Sequence, residues 1–311
     1  MTDARELLTV YLKGFAMGAA DAVPGVSGGT IALITGIYDR LVGAIAALDV
    51  AGARGLLRDV VGSRDPAARR SAIRRASVMD LPFLIVLGVG VVTAALTAAN
   101  VIEWAVGAHA GPTYAFFFGL IVASVIVLRG ELVLTSPAGW AVALVGFGLA
   151  YLVSGLSGGA IGSGPVVLFL SGVIGISAMV LPGISGSLIL LTLGQYETIV
   201  GAVDALTAAA FALDPGLAVA PLTTLLVFAT GALVGILSFA RIVAWALTHH
   251  RVQTMTFLVA LMVGALRAPG DRVLAATPEW TPVVAGGLVG WAVLGAVAVL
   301  GLDAMTDEIT Y

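Results

Sequence analysis

Long apolar stretches separated by short polar ones set the plan of this chain. Residues 7–22 form a first apolar arm and residues 29–48 a second, with Val23-Pro24-Gly25-Val26-Ser27-Gly28 between them. An α-helix rises about 1.5 Å per residue, so a membrane-spanning one needs about 20 residues. The first arm is short for a crossing, and the two together are too long for one. The pattern therefore predicts a broken, re-entrant helical hairpin over 7–48, with both ends on one side of a membrane and its tip near the midplane. Residues 49–80 are the long polar segment. Apolar runs then predict spans over 81–100, 112–128 and 138–155, a second broken hairpin over 165–203, and further spans over 221–241, 253–267 and 281–302.

The two breaks are written in the same residues. Val23-Pro24-Gly25-Val26-Ser27-Gly28-Gly29-Thr30 returns 158 positions on as Leu181-Pro182-Gly183-Ile184-Ser185-Gly186-Ser187. Downstream, Ile31/Ile189, Leu33/Leu191, Gly36/Gly194, Tyr38/Tyr196, Val42/Val200, Gly43/Gly201 and Ala44/Ala202 are identical, and Asp39/Glu197 keep the charge. Pro24 and Pro182 lack an N–H and fix φ, while the glycines permit backbone angles that other residues avoid. Each copy thus reads as a helix that stops, a short turn, and a new helix starting near Ser27 or Ser185. Non-helical backbone inside apolar sequence is tolerated where it lines a protein cavity.

Composition fixes the class. The chain has 311 residues, 59% hydrophobic and 11% charged, against about 25% charged in a soluble domain. It is expected to be an all-α integral membrane protein, and nucleic acid is excluded as a partner. With no cysteine and three histidines, His109, His249 and His250, it offers no thiol chemistry and no metal-ligand spacing, so neither a metal nor a cofactor is expected. Two units follow, 1–155 and 156–311, each a broken hairpin and three spans. A hairpin returns to its own side and three spans change side, so the second unit is inverted relative to the first. Charge orients the whole. With the 49–80 connector and its seven arginines placed inside, Arg5, Lys13, Arg40, Arg129, Arg241 and Arg251 also fall inside, and only Arg267 and Arg272 fall outside. By the positive-inside rule, both termini are cytoplasmic and the protein lies in the cytoplasmic (inner) membrane.

Inverted repeats whose broken helices meet at the midplane are a recurring transporter design. A helix N-terminus presents unpaired N–H groups and a partial positive charge. Two such ends, with the hydroxyls of Ser27, Thr30, Ser185 and Ser187 and the open backbone of Gly25, Gly28, Gly29, Gly183 and Gly186, would suit a phosphate or another oxyanion. The plainer alternative is that the small residues merely pack two hairpin tips together. Asp21 precedes the first break where the second has Met179. A carboxylate at membrane depth is costly and usually functional, which suggests proton or cation coupling. The alternative is a cap for the broken backbone. Tyr38 and Asp39, with Tyr196 and Glu197, are placed toward the hairpin mouths as interfacial anchors or polar entrances. Arg40 and Arg241 are candidates to receive a phosphate from the cytoplasmic side, though snorkelling cations are common.

At these residues the sequence resembles the polyprenyl-phosphate transporter family of the PopT type, formerly a membrane family of unknown function. The likeness rests on Gly18-Ala19-Ala20-Asp21-Ala22 running into the first break, on Thr35-Gly36-Ile37-Tyr38, and on the second break with Leu193-Gly194-Gln195-Tyr196. The resemblance implies transport of a polyprenyl-phosphate lipid carrier back to the cytoplasmic leaflet for envelope glycan synthesis, among other membrane lipids. Two rivals stand beside it. A small-ion or anion transporter or channel would need a polar route closed to lipid. A membrane polyprenyl-pyrophosphate phosphatase would place an arginine after the motif serine, where this chain has Gly28 and Gly186, so no catalytic residue is assigned.

Overall fold

The computed structural model describes residues 4–21, 26–62, 65–155, 162, 164–212 and 214–307. Pro24 and Gly25 of the first break lie outside the described residues. Every described element is a helix. The chain begins with α1 (Ala4–Asp21), and past the first break come α2 (Gly28–Ile34) and α3 (Tyr38–Ala46). Ser27 starts α2 because its extended backbone lets Oγ accept from the amide of Gly29, at 3.2 Å, as an N-cap does. The helix stops after seven residues at Gly36, whose φ of +70° lies in the left-handed region, with the Ile37 amide bonded to the Ala32 carbonyl at 3.0 Å. That is a Schellman stop, and α3 leaves it bent by 116°.

The second copy repeats the device. After α4–α8, described below, α9 (Pro165–Val180) gives way to α10 (Gly186–Thr192), then α11 (Tyr196–Ala212), bent by 107°. Gly194 has φ +68°, and the Gln195 amide bonds to the Leu190 carbonyl at 2.9 Å. The expected continuous second arms, 29–48 and its counterpart, are therefore each broken again. A left-handed glycine ends the helix whatever the hydropathy beyond it.

Between the copies, the polar connector folds into α4 (Val50–Val61) and α5 (Pro66–Val78), capped by Asp49 and Asp65. Asp59 of α4 clasps α5, accepting from Ser71 Oγ at 2.6 Å and Arg75 Nε at 2.8 Å. Asp80, at φ +47°, turns the chain by 63° into α6 (Leu81–Ala108). Next come α7 (Ala110–Val127), a 3-10 turn at Leu128–Glu131, and α8 (Pro137–Ser154). The second copy is followed by α12 (Pro215–His249), α13 (Arg251–Ala265), α14 (Arg267–Ala275) and α15 (Pro282–Asp307). Among the described residues, five helical segments are long and apolar enough to cross a membrane, or eight if each bent pair counts as one. The protein is a multi-pass membrane protein.

The same packing pairs recur in both halves. Helix α1 lies along α6 as α9 lies along α12, and α7 lies along α15 as α13 lies along α8. Glycines set the closeness of each pair. A Cβ on Gly14 would strike the Leu87 carbonyl and one on Gly90 the Tyr11 carbonyl; Gly172 meets Phe228 and Gly231 meets Phe169 in the matching pair. Gly119 faces Ala292 and Gly295 faces Phe116, as Gly146 faces Phe257 and Gly264 faces Phe147. With lipid as apolar as the side chains, close backbone approach and van der Waals contact drive such association, which gives many of the forty glycines a purpose. Helices α7 and α13 are the most buried of the spans and form the floor on which both breaks rest.

Candidate functional site

The two breaks touch. Carbonyls at the C-terminal end of α9 have no partner within their own helix, and the first copy supplies partners. Ser27 Oγ donates to the Leu181 carbonyl at 3.3 Å, and the Tyr38 hydroxyl donates to the Val180 carbonyl at 2.9 Å. In return the Gly183 amide donates to Thr30 Oγ1 at 3.0 Å. Backbone meets backbone at Gly29, where a Cβ would sit 3.2 Å from the Met179 carbonyl and 3.3 Å from the Pro182 nitrogen. Gly183, at φ +84°, lies against Leu261 and Met262 of α13. Ser27, Thr30 and Ser185 are 1–3% exposed. Ser185 Oγ pairs with Ser187 Oγ at 2.9 Å. Among the described residues the two breaks are closed on each other, and the polar groups named here find their partners within them.

The two half-helices differ in what holds their ends. Asp21, the last residue of α1, accepts from the Gly28 amide at 2.6 Å, at the positive end of α2. A Cβ on Gly28 would press on that carboxylate at 2.5 Å, so glycine is what lets it reach. At the other end, Lys13 Nζ donates to the Thr35 carbonyl at 2.6 Å. The corresponding residues in the second copy are Met179, packed on Gly186 as Asp21 is on Gly28, and buried Ser171. Lys13 was not among the sequence candidates. Its signal, a lone lysine in an apolar arm, was present.

Several sequence candidates lie elsewhere. Tyr38 is 2% exposed and reaches the second break instead of anchoring a hairpin mouth, because the Gly36 turn folds α3 back. Arg40 is engaged with Asp80 at 2.6 and 3.1 Å and with Glu6 at 3.2 Å, its guanidinium 4.3 Å from the centre of the Phe83 ring. It ties α3 to α6 and is not directed at the tips. Arg241 donates to the Leu48 carbonyl and Arg251 to Asp39. Glu197 is exposed and Tyr196 half-buried at the start of α11. Beside them a cavity of about 420 Å³ opens between Pro165, Leu168, Gln195, Thr198, Thr223 and Thr224. Among the described residues no cluster of His, Asp or Glu has the grouping to hold a metal ion.

Comparison with known proteins identifies the family. A family profile described as undecaprenyl phosphate translocase-like matches residues 17–277. A protein of Vibrio cholerae named polyprenyl-phosphate transporter is 39% identical over 269 residues, covering 83% of this chain and 76% of its own length. One of the same name from Staphylococcus aureus is 30% identical over 269 residues, covering 83% and 84%. No solved structure matches. The profile runs through both breaks and the spans between them, and the chain accordingly belongs to the undecaprenyl phosphate translocase-like family.

Proposed function

We propose that the protein carries a polyprenyl phosphate across the membrane, holding the phosphate between the two hairpin tips while the prenyl chain stays in lipid. The observation that carries this reading is the pair of cross-tip hydrogen bonds, Thr30 with Gly183 and Ser27 with Leu181, in a buried setting. Donors that find acceptors across the contact in the closed form are free to satisfy phosphate oxygens once the tips part. The Gly183 amide and the hydroxyls of Ser27, Thr30, Ser185 and Ser187 are the candidate donors, and the glycines allow the headgroup to approach the backbone. Such groups offset the desolvation that makes an unaided charge so costly to move through hydrocarbon.

The repeat makes the movement reciprocal. We read the two units, 1–155 and 156–311, as inverted, each a re-entrant hairpin and three spans. The short arms support this: the 16 residues of α9 extend about 24 Å, less than the ~30 Å hydrocarbon core. The matched packing pairs support it too. One mouth then opens to each face, and the cavity beside Gln195 is the mouth of the second hairpin. Asp21 would repel an arriving phosphate, so loading is expected to go with a proton or cation taken up there. Asn in its place keeps an acceptor for the Gly28 amide and removes the charge. Asp21→Asn should therefore fold and fail to translocate, and full translocation would remove Asp21 from the mechanism.

The decisive test uses the absence of native cysteine. A Ser27→Cys, Leu181→Cys double variant, reconstituted in liposomes with a short-chain polyprenyl phosphate, should stop moving the lipid when a short reversible cross-linker joins the tips. Cleaving the link should restore movement. Undiminished movement with the tips joined overturns the reading.

A further inference from the structure

A second site lies at the end of α6 remote from the arginine-rich connector. There the corner between α6 and α7, the loop after α14 and the first turns of α15 line an open cavity of about 770 Å³. Thr277 lines it and is 6% exposed. Among the described residues its hydroxyl has no hydrogen-bond partner, and it sits 3.5 Å from where a Cβ on Gly111 would stand. Gly111 belongs to the first turn of α7, an 18-residue helix whose N-cap, His109, makes no side-chain cap bond. The amides of Ala110 and Gly111 are thus first-turn donors without intrahelical partners, at the positive end of a long helix. An unpartnered hydroxyl on a largely buried threonine, open to the cavity, and a helix N-terminus converge on one volume.

Two further features narrow the ligand. Glu279 lines the same cavity from the loop side and is exposed. On the other flank of Leu288, which lines both, a nearly apolar groove of about 350 Å³ runs among Phe118, Val273, Leu274, Trp280 and Val289. Trp280 stands half-exposed two residues before the span that begins at Pro282, and Trp291 stands half-exposed midway along that span. Tryptophan marks headgroup depth in a bilayer, so Trp280, next to Glu279, sets the loop side of the polar cavity level with lipid phosphates, and the groove reaches inward along α7 to Phe118.

We infer that this cavity binds one zwitterionic phospholipid of the phosphoethanolamine class. Its phosphate accepts from Thr277 and the first amides of α7, its ammonium pairs with Glu279, and one acyl chain lies in the groove beside Leu288. The carboxylate is what selects this lipid: it attracts an ammonium and repels a headgroup that carries only negative charge. The site is separate from the hairpin tips, and the inference stands whether or not those tips carry polyprenyl phosphate.

The test is native mass spectrometry of the purified, delipidated full chain. It is offered phosphatidylethanolamine, phosphatidylglycerol of the same acyl chains, a short-chain polyprenyl phosphate, and inorganic phosphate. Wild type should retain phosphatidylethanolamine at least fivefold over phosphatidylglycerol. Glu279→Gln should bring that ratio to within twofold of unity, and Thr277→Val should lower retention of both lipids about fivefold. Leu288→Trp, which fills the groove from the surface, should do the same if Thr277→Val does not fold, with thermal unfolding reporting the fold of each variant. Equal retention of the two phospholipids by wild type overturns the inference. So does preferential retention of polyprenyl phosphate, which would make this a substrate station, or binding of inorganic phosphate as strong as that of lipid.

Discussion

Replacing Thr30 with valine keeps the shape of the side chain and deletes the acceptor for the Gly183 amide. The bond is 3.0 Å long and Thr30 is 1% exposed. Side-chain hydrogen bonds in membrane proteins average only about 0.6 kcal/mol, because separated groups find other partners. An unsatisfied buried donor costs more, about 1–3 kcal/mol. Gly183 falls between these limits. Its left-handed turn lies against the backbone of Leu261 and Met262, so its amide has little freedom to find a second acceptor while the tips remain shut. A value of about 1.4 kcal/mol, applied to the closed form alone, raises the open population roughly tenfold. Ser185, 3% exposed, reports this when replaced by cysteine in a chain that has none of its own. In proteoliposomes, its labelling by an impermeant maleimide should rise about tenfold in the Thr30→Val background. Thr30→Ser retains the oxygen and should stay within twofold of the parent. Labelling unchanged by Thr30→Val, with the parent labelled slowly, would show that the cross-tip bond does not hold the tips shut.

The other expectations concern the supports around that contact. Lys13→Met removes the cation from the C-terminal end of α2, and amide exchange in Gly28–Ile34 should accelerate to the level of Gly186–Thr192; unchanged exchange would assign Lys13 no part in holding α2. Gly119→Ala drives a methyl into the Ala292 backbone and should destabilise by about 1–3 kcal/mol. Gly107→Ala has open space around it and should leave the packing undisturbed, so equal melting temperatures for the two variants would count against the glycine-set packing. Hydrogen bonds from Ser71 and Arg75 hold the Asp59 carboxyl below the usual carboxylate range. A depressed group stabilises above its unfolded pKa, about 3.9, and loses that contribution as pH falls through the folded value. The α4–α5 clasp should therefore persist from neutral pH to about pH 4 and loosen below it. Asp59→Asn should show faster amide exchange over residues 50–78 already at pH 7.

What the sequence made legible was what proline, glycine and hydropathy determine locally. A Pro-Gly step inside apolar residues breaks a helix wherever it occurs, so both breaks could be located from the chain alone, and apolar length placed the five long spans. The second stop was visible as Gly36 and Gly194, matched in the repeat. Reading it as a stop needed their left-handed angles, because glycine is also common within membrane helices. From that turn follows the position of Tyr38, which a continuous arm would have carried to a mouth and the bent one carries to the opposite tip. Arg40 was illegible for another reason. Its partner Asp80 lies 40 residues away, across a connector whose two helices are joined by the Asp59 clasp, and residue spacing does not encode that register. The glycine pairs likewise depend on which helix lies beside which.

The repeat is also used unequally, and this bears on which part moves. Charges at the ends of a helix contribute about 0.3–1 kcal/mol each when exposed and up to ~2 kcal/mol when partly buried. Asp21 and Lys13 hold both ends of α2 in this way, while Met179 and Ser171 stand at the matching places of the second copy. On the order of 1–3 kcal/mol thus favours the first tip keeping its shape when the contact opens. On the proposed reading opening would then fall mainly on the second break, which is held by the Ser185–Ser187 pair and by bonds between Ser27, Tyr38 and Thr30 and its residues 180–183. A phosphate displacing those bonds would release the second tip and leave the first standing as the seat. On the proposed reading the carboxylate of Asp21 would be part of that seat, so the charge that stiffens α2 would also make the arrival of an anion depend on what neutralises it.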